Sequence, residues 1–307
     1  GNKRADYFLF INGKAVGVLE AKREEIDVLS PDVCEQATNY TRIVPSRYQT
    51  FMNPLPLIYQ SNGNTLVFKD NRNEYSDYEK LNHIHTPKEI AKILGIEDEF
   101  AGLPSLTERE IKALRNCQKD AVVGLEKSFR EGKNRALMVL ATGAGKTYTA
   151  CMFSYRFLAY TPMKRILFLV DRNNLGKQAE GEFGTFRLTE NGESFTNIYS
   201  VNRLKSAKIP SDSNVVISTI QRLFSLLKGD EISDTDDDDS YNTHEVILPE
   251  NPNLPHDFFD LIIIDECHRS IYGNWRKVLE YFDTAKIVGL TATPIPDTKA
   301  FFNENIV

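Results

Sequence analysis

Three groups of residues in this chain pair chemistry-bearing side chains with a spacing that would let them act together. Thirteen residues separate Asp6 from Glu20, and one separates Glu20 from Lys22. On a strand, alternate side chains share a face, so Glu20 and Lys22 project together. Two carboxylates that can hold a divalent cation, beside a lysine that can position water, are what metal-assisted phosphodiester cleavage requires. Glu-x-Lys is also an ordinary surface ion pair, so the spacing alone leaves both readings open. The second group is "ATGAGKT", Ala141 to Thr147. There Gly143 and Gly145 let the backbone around Thr142 and Ala144 curl so that its N–H groups face phosphates. Lys146 would neutralise the β- and γ-phosphates of ATP, and the Thr147 hydroxyl would ligate Mg²⁺. Leu140 stands where the GxxxxGK[ST] pattern begins with glycine. The third group ends "FDLIIIDECHRS": Asp265 would hold the Mg²⁺ shell, and Glu266 would orient and deprotonate an attacking water.

These groups need elements to hold them. Residues 1–80 are expected to form a small α+β unit, with strands near 6–11 and 16–22, a helix over 31–44 capped by Ser30 with Pro31 in its first turn, and strands near 56–60 and 65–69 joined by "SNGN". Residues 81–106, with one short helix ending at Gly95, are expected to be a helical linker. From 107 to 307, apolar runs such as "RALMVL", "RILFLVD", "NVVIST", "DLIIIDE" and "KIVGLT" alternate with helical stretches, the pattern of a parallel sheet covered on both faces. The fold class is therefore α/β, with an α+β unit followed by a doubly wound parallel sheet.

Parity sharpens the first unit. A two-residue turn at Asn12-Gly13 pairs Ile11 with Lys14 and therefore Asp6 with Leu19, which sends Asp6 to the face opposite Glu20. A joint metal site requires an odd connection or a β-bulge, with Gly13 left-handed as one route.

Bulk properties bound the function. The 307 residues are 41% hydrophobic, enough for packed cores, and no apolar run approaches the roughly 20 residues that span a bilayer. Cys34, Cys117, Cys151 and Cys267 are scattered, without metal or disulfide spacing, which fits a reducing cytoplasm. Ten acidic residues and no Lys or Arg lie between 230 and 257; removing those ten charges from the net −6 leaves +4, so nucleic acid is an acceptable partner for the remainder. The run "DEISDTDDDDSYNTHE" reads as a solvated loop. The first residues carry neither an initiator Met nor a signal-peptide pattern, and the expectation is a chain that begins inside a larger protein.

Taken together, "ATGAGKT", "DECH" and "TAT" (Thr291 to Thr293) resemble motifs I, II and III of superfamily 2 helicases and translocases. The resemblance implies a RecA-like motor lobe, coupling of nucleotide state to DNA movement through Thr291, Thr293 and His268, and adenine reading by Gln118 in "LRNCQKDAV". "FLVDRNNLGKQ" and "ISTIQRL" resemble motifs Ia and Ib, implying phosphate contacts from Arg172, Lys177, Thr219 and Gln221. "QATNY" places Gln36 and Tyr40 one helical turn apart and resembles the QxxxY motif that accompanies PD-(D/E)xK nucleases, with Ala5 where the family name has proline. An Asp…Glu-x-Lys…QxxxY unit directly before such a motor resembles the N-terminal part of the motor (R) subunit of type I restriction endonucleases. This implies ATP and Mg²⁺ as cofactors, double-stranded DNA as substrate, partner methylation and specificity subunits, and a bacterial or archaeal cytoplasm. A stand-alone helicase–nuclease of DNA repair, or a DNA-dependent ATPase with a vestigial nuclease unit, are the alternatives. Because the sequence stops fourteen residues after Thr293, with no second lobe, the 307 residues alone are expected to bind Mg-nucleotide weakly and to hydrolyse it negligibly.

Overall fold

The computed structural model describes residues 5–11, 14–73, 75–96, 98–205, 208–229, 248–269 and 274–307. The chain divides into two compact units, residues 1–97 and 98–307. The acidic run at 230–245 and the turn at Asn12-Gly13 lie outside the described residues.

The first unit is a five-stranded sheet in the order β1-β2-β3-β4-β5, formed by β1 (Tyr7–Ile11), β2 (Lys14–Ala21), β3 (Leu57–Ser61), β4 (Leu66–Asp70) and β5 (Glu79–Leu81). Helix α1 (Pro31–Tyr40) lies between β2 and β3 in sequence, and α2 (Pro87–Leu94) follows β5. β2 and β3 run parallel and the other pairs antiparallel. Alternation gives the sheet two apolar faces. Phe8, Phe10, Val18 and Ile58 pack with Ala37 and Tyr40 of α1. Leu9, Ile11, Leu19, Leu57 and Tyr59 pack with Ile90 and Leu94 of α2.

The hairpin of β1 and β2 carries the bulge that parity demanded. Ile11 pairs with Lys14 and Phe10 with Ala15, but Leu9 then pairs with Gly17, leaving Val16 as the extra residue. The side chains agree: Ala15 shares a face with Val18, and Val16 shares the other face with Leu19, spacings of three that only a bulge allows. The outer pair is Tyr7 with Leu19, so one step further Asp6 stands opposite Glu20.

Two local details differ from the expectation. α1 stops at Tyr40 rather than 44, because Pro45 pushes the residue before it away from the helical region. Ser30 occupies the N-cap position with Pro31 in the first turn, but its hydroxyl makes no capping bond. Gly95 ends α2 in the left-handed conformation, and a Thr86–Glu89 capping box starts it. The division at 97–98 falls inside the stretch 81–106. α2 packs on the first sheet, whereas Phe100 and Leu103 enter the core of the second unit.

Among the described residues the second unit holds six strands, β6 (Arg135–Val139), β7 (Ile166–Val170), β8 (Val201–Arg203), β9 (Val215–Thr219), β10 (Leu261–Ile264) and β11 (Lys286–Thr291), in the order β6-β11-β10-β7-β9-β8 with every pairing parallel. Its helices are α3 (Glu108–Ala113), α4 (Asn116–Arg130), α5 (Lys146–Tyr160), α6 (Asn173–Thr185), α7 (Phe195–Ile198), α8 (Ile220–Lys228), α9 (Asn274–Tyr281) and α10 (Pro296–Phe301). On one face Val122, Phe153, Phe157 and Phe183 cover Leu261 and Ile263; on the other Leu223, Trp275 and Phe282 cover Ile262 and Ile264. Trp275 is thus a packing residue. Arg156 of α5 is fully buried, with Nε 2.5 Å from Glu126 Oε1 of α4 and Nη1 2.8 Å from Glu110 Oε1 of α3, and it also donates to the Pro104 carbonyl. This ion cluster ties residues 104–126 to the helix that follows the glycine-rich loop.

Candidate functional site

The bulge and helix α1 assemble the first cluster. Asp6 Oδ2 accepts the Ala21 N–H at 2.9 Å, fixing the carboxylate at the end of β2. Lys22 Nζ donates to Glu20 Oε1 at 2.6 Å and to Gln36 Oε1 at 2.9 Å, and Gln36 Nε2 reaches the Tyr40 hydroxyl at 2.7 Å. The i, i+4 spacing of Gln36 and Tyr40 on α1 thus becomes a brace for the lysine. Glu20 is 2% exposed, and its Oε2 has no hydrogen-bond partner among the described residues. A buried carboxylate oxygen left unpaired is costly. A divalent cation at Asp6 and Glu20 would relieve it, so the donor set fits a hard, oxygen-seeking ion.

The second cluster lies along one edge of the parallel sheet. Because the strands run in the same direction, Val139, Val170, Thr219, Ile264 and Thr291 all end at that edge, where open α/β sheets bind ligands. Leu140 extends β6, its N–H bonded to the Thr291 carbonyl, and its side chain is buried; that is why a glycine is not needed there. The loop then turns through Thr142, Gly143, Ala144 and Gly145, with Gly143 at φ 76° and Gly145 at φ 84°. A Cβ at Gly145 would also lie 2.5 Å from Gln118 Nε2, so a side chain there would have to displace that amide. Arg115, which the sequence reading did not single out, clamps the loop by donating to the Gly143 carbonyl at 2.9 Å.

A cleft of about 290 Å³ opens above the loop, lined by Gly143, Gly145, Lys146, Thr147, Asp265 and Glu266 together with residues of α6. Burial and the adjacent Glu266 carboxylate push Asp265 up to about 6, against the opposing effect of Lys146. A buried acid lining the same cleft as Thr147 suits a divalent cation. Lys146 Nζ lies 3.2 Å from Glu266 Oε1, and His268 Nδ1 lies 3.5 Å from Glu266 Oε2 and 3.0 Å from Thr291 Oγ1. The Thr293 N–H donates to Thr291 Oγ1 at 3.1 Å. A continuous polar chain therefore joins Lys146, Glu266, His268, Thr291 and Thr293. Cys267 is buried with its thiol pushed up to about 12, first by burial and then by Glu266 and Asp265, and behaves as a small packing residue.

Some expected residues are placed differently. Gln118 is buried, its Oε1 accepting the Arg115 N–H and its Nε2 donating to the Gly145 carbonyl, so contact with adenine requires those bonds to be exchanged. Thr219 is 4% exposed and caps α8 by accepting the Arg222 N–H; its side chain has a structural task and is withdrawn as a phosphate contact. Arg172, Lys177 and Gln221 are exposed near the same sheet edge. Among the described residues no helix is long and apolar enough to cross a membrane.

Residues 1–94 match the family model for the second domain of the type I restriction enzyme EcoKI endonuclease subunit. The chain is 29% identical to the EcoKI endonuclease subunit of Escherichia coli K12, over 98% of this chain and 29% of that protein. It is also 29% identical to the EcoAI endonuclease subunit of Escherichia coli, over 95% and 33%. It thus spans about a third or less of the length of these relatives. A solved fragment described as an HsdR subunit of a type I restriction enzyme from Vibrio vulnificus YJ016 is 27% identical over 94% of this chain and 46% of that one, with a TM-score of 0.42. Residues 111–296, more than half of the sequence, match the family model described as type III restriction enzyme, res subunit. The chain is therefore homologous over nearly its whole length to type I restriction enzyme endonuclease subunits, and it belongs to the family of that matching res-subunit model.

Proposed function

We propose that this polypeptide carries the nuclease unit and the first RecA-like motor lobe of a type I restriction enzyme's motor subunit, which translocates double-stranded DNA with ATP and cleaves it. The observation that carries the proposal is the first cluster: a bulge that brings Asp6 level with Glu20, and a Lys22 held by Gln36 and Tyr40. An ordinary strand-surface ion pair needs neither device.

In the motor lobe, Lys146 is parked on Glu266 and moves to the β- and γ-phosphates when nucleotide enters. Glu266 is then free to orient the attacking water and accept its proton. The change reaches Thr291 and Thr293 through His268. Arg172, Lys177 and Gln221 contact DNA phosphates, and Gln118 contacts adenine. Thr147 and Asp265 would hold Mg²⁺ there, and Asp6 and Glu20 would hold it in the nuclease unit; when bound, it supplies positive charge for phosphate oxygens. In the nuclease unit Lys22 positions water beside the scissile phosphate, and the Asp6 carboxylate stays aimed because the Ala21 N–H restrains it. The methylation and specificity subunits, and a bacterial or archaeal cytoplasm, belong to the same proposal.

The test is cleavage of a circular plasmid by the complete subunit, with and without partner methylation and specificity subunits. ATP-dependent double-strand breaks are expected only with the partners, and Asp6→Ala or Lys22→Ala should abolish them. Partner-independent cutting would favour a stand-alone helicase–nuclease. Cutting that survives both substitutions would remove the nuclease assignment.

A further inference from the structure

The carboxylates of the first cluster have a neighbour that no motif announces. β3 runs parallel to β2 with Glu20 level with Gln60, so Asp6, Glu20 and Gln60 form a row across three strands on the face covered by α1. Gln60 is completely buried. Its Nε2 donates to the Tyr78 hydroxyl at 2.7 Å, which fixes the amide orientation, and its Oε1 has no hydrogen-bond partner among the described residues. Glu20 Oε2, one strand away, is also buried and unpaired. Most buried side-chain polar atoms in folded proteins find partners, and two orphaned acceptor oxygens on adjacent, register-matched residues call for a shared explanation. Both are acceptors only, so neither can satisfy the other; a hydrogen-bond donor or a cation between the strands would satisfy both. No third His, Cys, Asp or Glu joins the two carboxylates in a metal-binding group among the described residues, so a third protein ligand among them would be of another residue type. Carboxamide oxygens are ordinary ligands of hard divalent cations.

We propose that Gln60 is the carboxamide member of the divalent-cation site formed by Asp6 and Glu20, with Oε1 as the donor atom and Tyr78 as the group that keeps it turned toward the cation. The inference rests on Asp6 and Glu20 being a cation site, and the two can fail separately. A neutral donor in this position keeps the site from accumulating a third negative charge, so the unit folds without metal and still offers oxygen ligands once the ion arrives.

The experiment is Mn²⁺ titration of the nucleotide-free 307-residue chain, followed by calorimetry and by the shift in melting temperature of its first unit. Variants Gln60→Leu, Gln60→Glu and Asp6→Asn are compared on an Asp265→Asn background that silences the nucleotide-site cation. Gln60→Leu should weaken Mn²⁺ binding roughly 10- to 100-fold, the range found when groups supporting a metal site are removed. Gln60→Glu should melt below the parent without metal, from like-charge repulsion at Glu20, and should gain more than the parent on adding Mn²⁺. Should Gln60→Leu fail to fold, the Gln60→Glu response still decides. If Asp6→Asn removes Mn²⁺ binding while Gln60→Leu leaves it unchanged, or if Mn²⁺ stabilises Gln60→Glu no more than the parent, Gln60 is a packing residue and the proposal falls. If the parent itself binds no Mn²⁺ in the first unit, the cation site itself falls, and the inference with it.

Discussion

Lys22 is positioned rather than merely present, and that distinction is testable. Its ammonium is shared by Glu20 and Gln36, and Gln36 is in turn held by Tyr40. Gln36→Ala leaves every charge of the cluster in place but removes one of the lysine's two partners. Cleavage by the assembled enzyme should fall about 10- to 100-fold, in line with losses at supporting residues, while ATP turnover on DNA is unchanged. Equal losses of both activities would mean that α1 does more than aim one side chain. Asp265 supports a second prediction. Burial and Glu266 hold its carboxyl at about 6, above the ordinary 3.8, so between those values the folded state keeps a proton that the unfolded chain releases. The associated stability is complete below about pH 4 and is lost as pH rises through 6. Asp265→Asn should abolish this slope. In urea titrations without divalent cations, the variant should gain on the parent between pH 4 and pH 7 by about 2 kcal/mol. At this level the sequence was legible wherever a motif names its residues, as for Lys146 or Glu20. It was silent on Gln60, which reads as one more interior residue of "LIYQS", and on Arg115, whose partner is a backbone carbonyl that no pattern encodes. Thr219 misled because a Ser or Thr before a helix is as good a cap as a phosphate ligand, and here burial decides for the cap.

The β1–β2 hairpin shows how an element can be fixed by parity before its geometry is known. The proposed cation site requires Asp6 and Glu20 on one face, the simple turn forbade it, and the bulge at Val16 reconciles them. Which residue would bulge was not legible, because Ala15, Val16 and Gly17 all fit a strand. Gly17 has its own reason to be glycine: a Cβ there would stand 2.7 Å from the Leu57 carbonyl oxygen of β3. Gly17→Val should therefore prise β2 from β3 and destabilise the first unit by at least about 2 kcal/mol, measured by urea unfolding. In the second unit Arg156 is the comparable element-level device. It looks from sequence like the polar residue of an amphipathic helix, yet it is the shared cation of Glu110 and Glu126, two carboxylates on separate helices. Arg156→Ala strands both acids in the core and should cost about 3–5 kcal/mol. Arg156→Ala with Glu110→Gln and Glu126→Gln should recover part of that loss.

Across the whole chain, the two clusters sit in different compact units, and the substitutions that silence them should be separable. In the complete subunit with its partners, Lys146→Ala should stop ATP hydrolysis, translocation and therefore cleavage. Lys22→Ala should stop cleavage alone while DNA-stimulated ATP turnover persists. Loss of ATP turnover in Lys22→Ala would show that the units are not independent. Glu266, finally, is held at φ 49°, a left-handed conformation that residues other than glycine tolerate poorly. Removing the carboxylate while keeping the Cβ, as in Glu266→Ala, should leave a protein less stable than Glu266→Gly by roughly 1 kcal/mol, although neither would hydrolyse ATP. A population of variants selected only for heat resistance would then drift toward glycine at 266, whereas selection for the proposed ATP-driven activity would hold the strained glutamate in place. Position 266 is where durability and work pull this chain in opposite directions.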